Sequence, residues 1–395
     1  MLLSQIQAGL SLRPADSIRD RSAPNLILSS TQEKLDAHKH ETNFLDVCMD
    51  HWLALVEDLS FPTACLPLTT SEASLIRSCF RHLHESAEPQ DTLEELQMRG
   101  LIALGHRLAP LLNQLGATEG GCFTKLSGRS AKDAPLFTRR LEKELTRRLD
   151  GGDADAAVGH LFDAALSLAK VHDPAHALWL LINSERVDED LDVALRHQER
   201  WNQSIIVRTW WPGVSSDLEF RLFVHDGQPT GITQYNQLLF SPRIASRGAI
   251  IAGALKRYFE EVVRPRLDKT PFDDALGGRY ACDLALHPAA LVVLDAAIAA
   301  GEPASPPLLG REHVQLVELN AFYEATGMGL FDYQKDQYAL THGPFEWRVR
   351  TKPLAKAEVK LEREWREVIR CSIEGAAAPC RRSTDAVWAQ LSDGM

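Results

Sequence analysis

Hydrophobic and polar positions repeat with the periods of helices and strands along most of the chain. Between Phe44 and Val56, apolar residues recur at steps of three and four, which predicts a core-facing helix. A capping-box pattern beginning at Thr92 predicts the start of another helix. Residues 43–119 are therefore predicted to be mainly helical. Residues 1–42 lack sustained periodicity, and we expect them to form a flexible arm.

Strand and helix patterns alternate over residues 120–352. The predicted elements are a strand over 122–126, helices over 132–149, 154–171 and 188–202, strands over 204–211, 217–225 and 230–240, a helix over 246–267, and strands over 279–286 and 313–319 with an Ala-rich helix between them. Asp226 and Gly227 predict a hairpin turn. Residues 353–395 are expected to supply a charged helix, over about 354–372, and a short tail.

Composition narrows the class of protein. The 395 residues include 43 Lys and Arg against 54 Asp and Glu, a formal net charge of −11, which argues against generic binding to nucleic acid or anionic membrane. Seven cysteines without a Cys-x-x-Cys pair favour free thiols in a reducing compartment. The N-terminus lacks the pattern of a secretory signal, and the longest apolar stretch, 289–300, is too short to span a bilayer. We expect a cytoplasmic protein.

The first cluster of functional side chains follows the strand over 122–126. Lys125 leads into a turn of small and hydroxyl residues, so an ammonium group, backbone N–H groups and hydroxyls could bind phosphate oxygens. A helix beginning near Lys132 would direct its positive end to the same place. The turn lacks the Gly-Lys-Ser/Thr of a P-loop. A solvated basic turn is the alternative interpretation.

The second cluster lies on the strands over 217–225 and 230–240. Alternation places Glu219 and Arg221 on one face of the first strand, and Gln234 lies within the second. Such a pair is commonly a surface contact. If that face is covered, however, unpaired charge would be costly, and a polar ligand becomes the better explanation.

The third cluster is acidic and lies on two otherwise apolar strands. Asp283 follows Cys282 on one strand, and Glu318 and Asn320 project from the same face of the other. Two carboxylates and an amide oxygen suit Mg²⁺ held together with phosphates. Solvated acidic residues near strand ends are the alternative.

Taken in order, these segments resemble the cell division cycle protein 123 family, a branch of the ATP-grasp fold. The family's lysine turn, Lys-Leu-Asn-Trp-Ser-Ser/Ala-Pro-Lys-Asp-Ala, is similar to residues 125–134 here. Its Leu-Arg-Lys-Trp, Met-Glu-Phe-Arg-x-Phe-Val and Gly-Ile-Ser-Gln motifs are similar to 207–210, 218–224 and 231–234. Its Asp-Phe-Asn-Pro motif is similar to the segment beginning at Glu318.

The resemblance implies an α+β protein of the ATP-grasp fold, with two α/β subdomains sandwiching ATP and a helical N-terminal region. By position, it implies that Lys125 and Arg221 contact the phosphates. It implies that the nucleotide is bound by Lys125, Ser127, Gly128, Arg129, Ser130, Arg208, Thr209, Trp210, Glu219, Arg221 and Gln234, and that Mg²⁺ is held by Asp283, Glu318 and Asn320. In the family this site serves assembly of translation initiation factor 2 through its gamma subunit, which is the partner the resemblance implies.

Two other functions stay open from the sequence. Many ATP-grasp proteins are ATP-dependent ligases that activate a carboxylate as an acyl phosphate, and Arg221 would then stabilise the charge of the transferred phosphoryl group. The other alternative is a non-catalytic interaction module, in which Glu219 and Arg221 are structural.

Overall fold

The computed structural model describes residues 43–86, 90–149, 157–301, 306–323, 326–354, 363–374 and 383–395. The predicted arm over 1–42 lies outside the described residues. Two compact units interleave along the chain. Of the described residues, one combines those up to Ser60 with those from Gly213 to residue 354, and the other combines those from Phe61 to Pro212 with those from residue 363 onwards. We name them the five-stranded unit and the four-stranded unit, after their sheets.

The strands and helices follow one another in a mixed α+β order. The strands are β1 Thr63–Pro67, β2 Cys122–Leu126, β3 Lys170–Val171, β4 Ser204–Thr209, β5 Glu219–His225, β6 Gln228–Gln234, β7 Tyr280–Leu286, β8 Val314–Ala321 and β9 Glu346–Arg348. The α-helices are α1 Thr70–His84, α2 Glu95–Gln114, α3 Arg140–Leu149, α4 Ala157–Leu168, α5 Pro174–Ile182, α6 Glu185–Arg196, α7 Pro242–Ala245, α8 Gly248–Tyr258, α9 Arg264–Leu267, α10 Pro271–Leu276, α11 Pro288–Ala299, α12 Gln337–Thr341, α13 Arg363–Glu374 and α14 Asp385–Gly394. The predicted strands are confirmed, with ends displaced by a few residues.

The four-stranded unit is built on an antiparallel sheet in the order β1-β4-β2-β3. One face of the sheet, which includes Leu126 and Val207, packs with helices into a hydrophobic core. The C-terminal helix α14 belongs to this core through Val387 and Trp388. The opposite sheet face carries the predicted phosphate-binding lysine, so the core fixes the strand that presents it.

The five-stranded unit is built on a sheet in the order β8-β7-β5-β6-β9. Neighbouring strands are antiparallel except for β6 and β9. The predicted hairpin between β5 and β6 is confirmed, since both Asp226 and Gly227 adopt positive φ, 50° and 68°. This hairpin fixes the register of β5 against β6.

The long helix predicted over 246–267 is present in three parts. A π-helical turn, Phe259–Val263, joins α8 to α9. Pro265 lies at the start of α9 and has no N–H to donate, which explains a wider turn at this point. No helix among the described residues is both long enough and apolar enough to cross a bilayer.

The single helix predicted between Phe44 and Val56 is wrong. Residues 43–46 are helical, and three 3-10 turns follow over 49–59. The Trp52 indole N–H donates to the Val47 carbonyl at 3.1 Å, so this carbonyl is bonded outside the α-helical ladder. His51 N–H instead donates to the Cys48 carbonyl, the tighter i to i−3 bond. The three- and four-residue spacing of apolar residues here comes from side chains buried by successive 3-10 turns, not from one face of an α-helix.

Two predicted helix starts are also wrong. After the lysine turn, residues 134–137 form a 3-10 turn and α3 begins only at Arg140, whose N–H donates to the Thr138 hydroxyl. No α-helix begins near Lys132, and Pro135 lies in the first turn of the 3-10 segment instead. Helix α2 begins two residues after the predicted position, because its capping box is made by Glu94 and Gln97.

Five of the helices that the structure describes were not predicted: the short helices α7, α10 and α12, and the longer helices α5 and α14. Every residue of α5 is buried, so its sequence has no polar face and no helical period. The sequence did contain a signal for the start of α5: Asp173 is an N-cap residue and Pro174 lies in the first turn. Helix α14 lies where a short tail was expected, and Trp388 buries it in the core.

Candidate functional site

The predicted charged residues of the five-stranded unit form a row across its sheet. In the strand register, Arg221 on β5 lies opposite Asp283 on β7, and Asp283 lies opposite Glu318 on β8. Directly opposite residues project from the same face. Alternation along one strand shows which of its residues share a face. The register between strands shows in addition that Arg221, Asp283 and Glu318 are neighbours.

Arg221 is held by three kinds of contact. Its Nε and Nη2 groups donate to the two carboxylate oxygens of Asp283, each at 2.7 Å, and Nη1 donates to the Gly327 carbonyl at 2.5 Å. Its guanidinium carbon lies 4.8 Å from the centre of the Tyr235 ring. Burial alone would lower the pKa of Arg221, but Asp283 raises it above its usual range, so the group stays charged.

Asn320 joins the row from the next position on the same face of β8. Its Nδ2 donates to Asp283 Oδ2 at 3.1 Å. Glu318 and Asn320 are both half-buried, whereas the side chain of Asp283 is almost wholly buried. The neighbouring thiol of Cys282 is also buried, which raises its pKa well above the ordinary value and makes it a poor nucleophile.

The oxygen donors of this row fit a hard cation. Mg²⁺ is commonly bound by one or two carboxylates together with phosphate oxygens and water. Glu318 and Asn320 offer a carboxylate and an amide oxygen two residues apart on one strand face. Among the residues that the structure describes, no cluster of three or more His, Cys, Asp or Glu side chains could hold a metal ion. A magnesium site here would therefore depend on the amide oxygen and on a phosphate ligand.

Glu219 shares the sheet face of Arg221, whereas Gln234 lies on the opposite face. Glu219 begins β5, opposite Ala285, and is buried. Gln234 lies opposite Phe220, on the face away from Arg221. Its Nε2 group donates to the backbone carbonyls of residues 236 and 239, and its Oε1 accepts from the N–H of residue 350. Gln234 thus fixes loops, and its role at the phosphates or ribose stays a prediction.

In the four-stranded unit, Lys125 and Arg208 share a sheet face. The register places Lys125 opposite Ile206 and Arg208 opposite Phe123, so both cations project away from the hydrophobic core. Both are buried. The guanidinium carbon of Arg208 also lies 5.3 Å from the Phe61 ring centre. Two buried cations on one sheet face are consistent with an anionic ligand.

Thr209 and Trp210 follow Arg208 and have different surroundings. Thr209 lies opposite Cys122, so its side chain belongs to the other face of the sheet. Its hydroxyl donates to the Leu115 carbonyl at 3.4 Å. Trp210 is half-buried, and the Lys170 ammonium lies 5.8 Å from its ring centre. Their roles beside adenine stay predictions.

The lysine turn is fixed mainly by contacts to α6. Arg129 donates through Nε to Asp190 Oδ1 at 2.6 Å and through Nη2 to Glu189 at 3.0 Å. Ser127 Oγ accepts from the Ser204 N–H at 2.8 Å, and Gly128 is buried. Arg129 was predicted to bind the nucleotide, and the structure places its head group on two carboxylates of α6.

A second set of contacts anchors the end of the turn. Asp133 accepts from the Ser184 hydroxyl at 2.5 Å and from the Glu185 N–H at 2.8 Å, at the N-terminus of α6. Arg186 Nε donates back to the Ser130 carbonyl at 3.0 Å. The carboxylate of Asp133 therefore satisfies helix N–H groups as well as ordering the turn.

Several residues around these groups were not identified from the sequence. They are Tyr235 and Gly327, which contact Arg221, and Asp133, Arg186, Glu189 and Asp190, which fix the lysine turn. Tyr235 directly follows Gln234, and the acidic run 188–190 lies in a predicted helix, so weak signals were available. Gly327 contributes only its backbone carbonyl, which no side-chain pattern reveals.

Comparison with known proteins identifies solved structures with a similar fold and a family whose model matches the chain. Cdc123 from Schizosaccharomyces pombe matches with a TM-score of 0.49 and 15% identity, covering 78% of this chain and 97% of that one. C-terminally truncated Cdc123 from the same organism matches with a TM-score of 0.50 and 15% identity, covering 78% and 98%. At this identity, the second match shows a shared fold alone. No curated protein matches the chain.

The family assignment rests on the sequence rather than on the structural likeness. Residues 163–368, just over half of the chain, match the D123 family. This segment contains β4 to β9, and with them Arg221, Asp283, Glu318 and Asn320. The match confirms the resemblance that the motifs indicated: the chain belongs to the D123 family, the family of Cdc123.

Proposed function

We propose that this protein binds Mg·ATP as a member of the ATP-grasp fold. The observation that carries the proposal is the row Arg221, Asp283 and Glu318, with Asn320 beside it, on one face of a mostly apolar sheet. Grouped charges of this kind are costly away from water unless they bind a ligand or one another. A triphosphate with a divalent cation matches both signs of charge in the row.

In this proposal each side chain has a defined task. Arg221 donates to the phosphates, and Glu318 and Asn320 provide oxygens for the cation. Bound Mg²⁺ would offset negative charge on the phosphate oxygens. Lys125, buried on its own sheet face, is proposed as a further phosphate contact.

Calorimetric titration of the full chain with Mg·ATP tests the proposal. We expect saturable binding, and we expect Lys125→Ala to weaken it by about tenfold or more, since a charge-assisted hydrogen bond contributes about 1.5–3 kcal/mol. Lys143→Ala is the matched control, because Lys143 is exposed on α3 of the same unit. Absence of binding by the unmodified chain would contradict the proposal.

The proposed biological role is assembly of translation initiation factor 2 through its gamma subunit. Family membership and the motif resemblance support this role. A pull-down with the purified gamma subunit tests it, with Lys125→Ala showing whether capture depends on the nucleotide site. Release of ADP that depends on a carboxylate acceptor would instead favour the ATP-dependent ligase.

A further inference from the structure

The contacts of Asp283 differ from those expected of a metal ligand. Both of its carboxylate oxygens accept from the Arg221 fork at 2.7 Å, and one also accepts from Asn320 Nδ2 at 3.1 Å. Its side chain is 1% exposed and that of Arg221 is 2% exposed. A bidentate, dry ion pair is geometrically specific, and turning the carboxylate toward a cation would break it.

The contacts of Arg221 describe a group held in one orientation. The contacts to Asp283 and to the Gly327 carbonyl use three of its five N–H donors, and Tyr235 packs against the guanidinium. The group can therefore keep its place and still donate to an anion. Asn320 donates its N–H to Asp283, which leaves the amide oxygen as the atom that a cation would use.

We infer that Asp283 is a positioning residue: it holds the Arg221 guanidinium for the phosphates, and Glu318 and Asn320 bind the cation without it. The inference rests on the proposed binding of Mg·ATP and assigns Asp283 a different task from the one its motif position implies. Its consequence is measurable. Loss of the Asp283 charge should weaken ATP binding whether or not a metal is present.

The test compares Asp283→Asn with Glu318→Gln in the full chain, with ATP titrated in excess Mg²⁺ and again in EDTA. We expect Asp283→Asn to lower ATP affinity by about tenfold in both conditions, because the Arg221 guanidinium loses its ionic partner. Glu318→Gln should lower it in Mg²⁺ only, because that change removes a carboxylate from the cation. Asp217→Asn is the matched control. Asp217 also accepts from an arginine fork, that of Arg243, in the same unit, and its loss should leave ATP affinity unchanged.

If Asp283→Asn does not fold, a double variant in which both partners of the ion pair become neutral still tests the inference. In Arg221→Gln/Asp283→Asn, two amides replace the ion pair, so no charge is left buried alone. With ATP saturating, Mn²⁺ affinity measured by electron paramagnetic resonance should stay within about threefold of the unmodified chain, since Glu318 and Asn320 are retained and the amide oxygen at position 283 can still accept from Asn320 Nδ2. Where Asp283→Asn folds, the double variant should bind ATP no worse than Arg221→Gln alone, the non-additivity expected of two residues acting as one unit.

Three outcomes would overturn the inference. A loss for Asp283→Asn that is confined to Mg²⁺ would make Asp283 a metal ligand. At least tenfold weaker Mn²⁺ binding by the double variant would do the same, because its amide oxygen at position 283 can still accept from Asn320. If the losses of ATP affinity at positions 221 and 283 simply add in the double variant, Asp283 does not act through Arg221. Failure of the unmodified chain to bind ATP at all would overturn the proposed function, and this inference with it.

Discussion

The charged row of the five-stranded sheet and the lysine turn of the four-stranded unit contain the same kinds of residue in different arrangements. In the row, Arg221 and Asp283 meet across neighbouring strands, and both are almost fully buried. In the turn, Arg129 bonds to Asp190 on a helix, and its side chain is 35% exposed. Strand register makes the first contact, whereas a loop folding onto a helix makes the second.

This difference separates residues that could serve a ligand from residues that serve the fold. The row presents several oppositely charged groups on one sheet face, with Asn320 beside them. The turn uses its charges to bind α6, through Arg129 and Asp133. Within the turn, Lys125 is the residue whose strand position, on the face opposite the core, still suits a phosphate.

The largest predicted effect tests this comparison through two arginines. Arg221→Ala leaves the Asp283 carboxylate buried without its cation, which should lower the free energy of unfolding by about 3–5 kcal/mol. Arg129→Ala should cost only about 1–3 kcal/mol, because the buried Asp190 carboxylate keeps Arg186 as a second nearby cation. Urea unfolding of both variants measures the difference. Equal losses would show that the two ion pairs do not differ in the way that their surroundings indicate.

A somewhat smaller effect should link the stability of the four-stranded unit to pH. Burial lowers the pKa of His176, in the four-stranded unit, to about 4, and its ring stacks on Trp388. The imidazole is therefore neutral in the folded protein, and the unfolded chain binds its proton first as the pH falls. Stability is fully present above about pH 6.5 and is lost between pH 6.5 and 4, by at most about 3 kcal/mol.

Urea unfolding at pH 7, 6 and 5 checks this prediction. The control is His176→Gln, whose amide cannot take up a proton in this range. The difference in unfolding free energy between the two proteins should shrink as the pH falls. A difference that stays constant from pH 7 to 5 would show that His176 does not link the stability of this unit to pH.

The sequence could predict the sheet site better than the turn, and the reason is physical. A strand alternates strictly, so the strand pattern by itself puts Glu219 and Arg221, or Glu318 and Asn320, on a shared face. Which strands are neighbours depends on pairing over long sequence distances, so the contact between Arg221 and Asp283 could not be derived. The family resemblance named both residues but gave them separate tasks.

Loops and fully buried helices were harder to predict. The anchoring of Arg129 by Asp190 depends on how α6 packs, and neither residue carries a local signal of the other. Helix α5 lacks any polar face, so its apolar run gave no period to detect. The 3-10 turns near Trp52 depend on one side-chain hydrogen bond to a backbone carbonyl. Tertiary contacts overrode the local pattern in the first two cases, and a local side-chain hydrogen bond accompanies the departure in the third.

The smallest predicted effect concerns the anchor at the end of the lysine turn. Asp133→Asn keeps the size of the side chain and one oxygen acceptor, so the hydrogen bond from either Ser184 or the Glu185 N–H can be retained. Losing the other bond and the negative charge at the N-terminus of α6 should lower the free energy of unfolding by about 1–2 kcal/mol. Urea unfolding measures this loss, and Asp173→Asn, at the N-cap of α5, is the matched control for a simple cap. If Asp133 only supports the fold, ATP titration of the variant should give the affinity of the unmodified chain. A loss of ATP affinity larger than that of Asp173→Asn would mean that the turn, like the charged row, orders groups for the ligand.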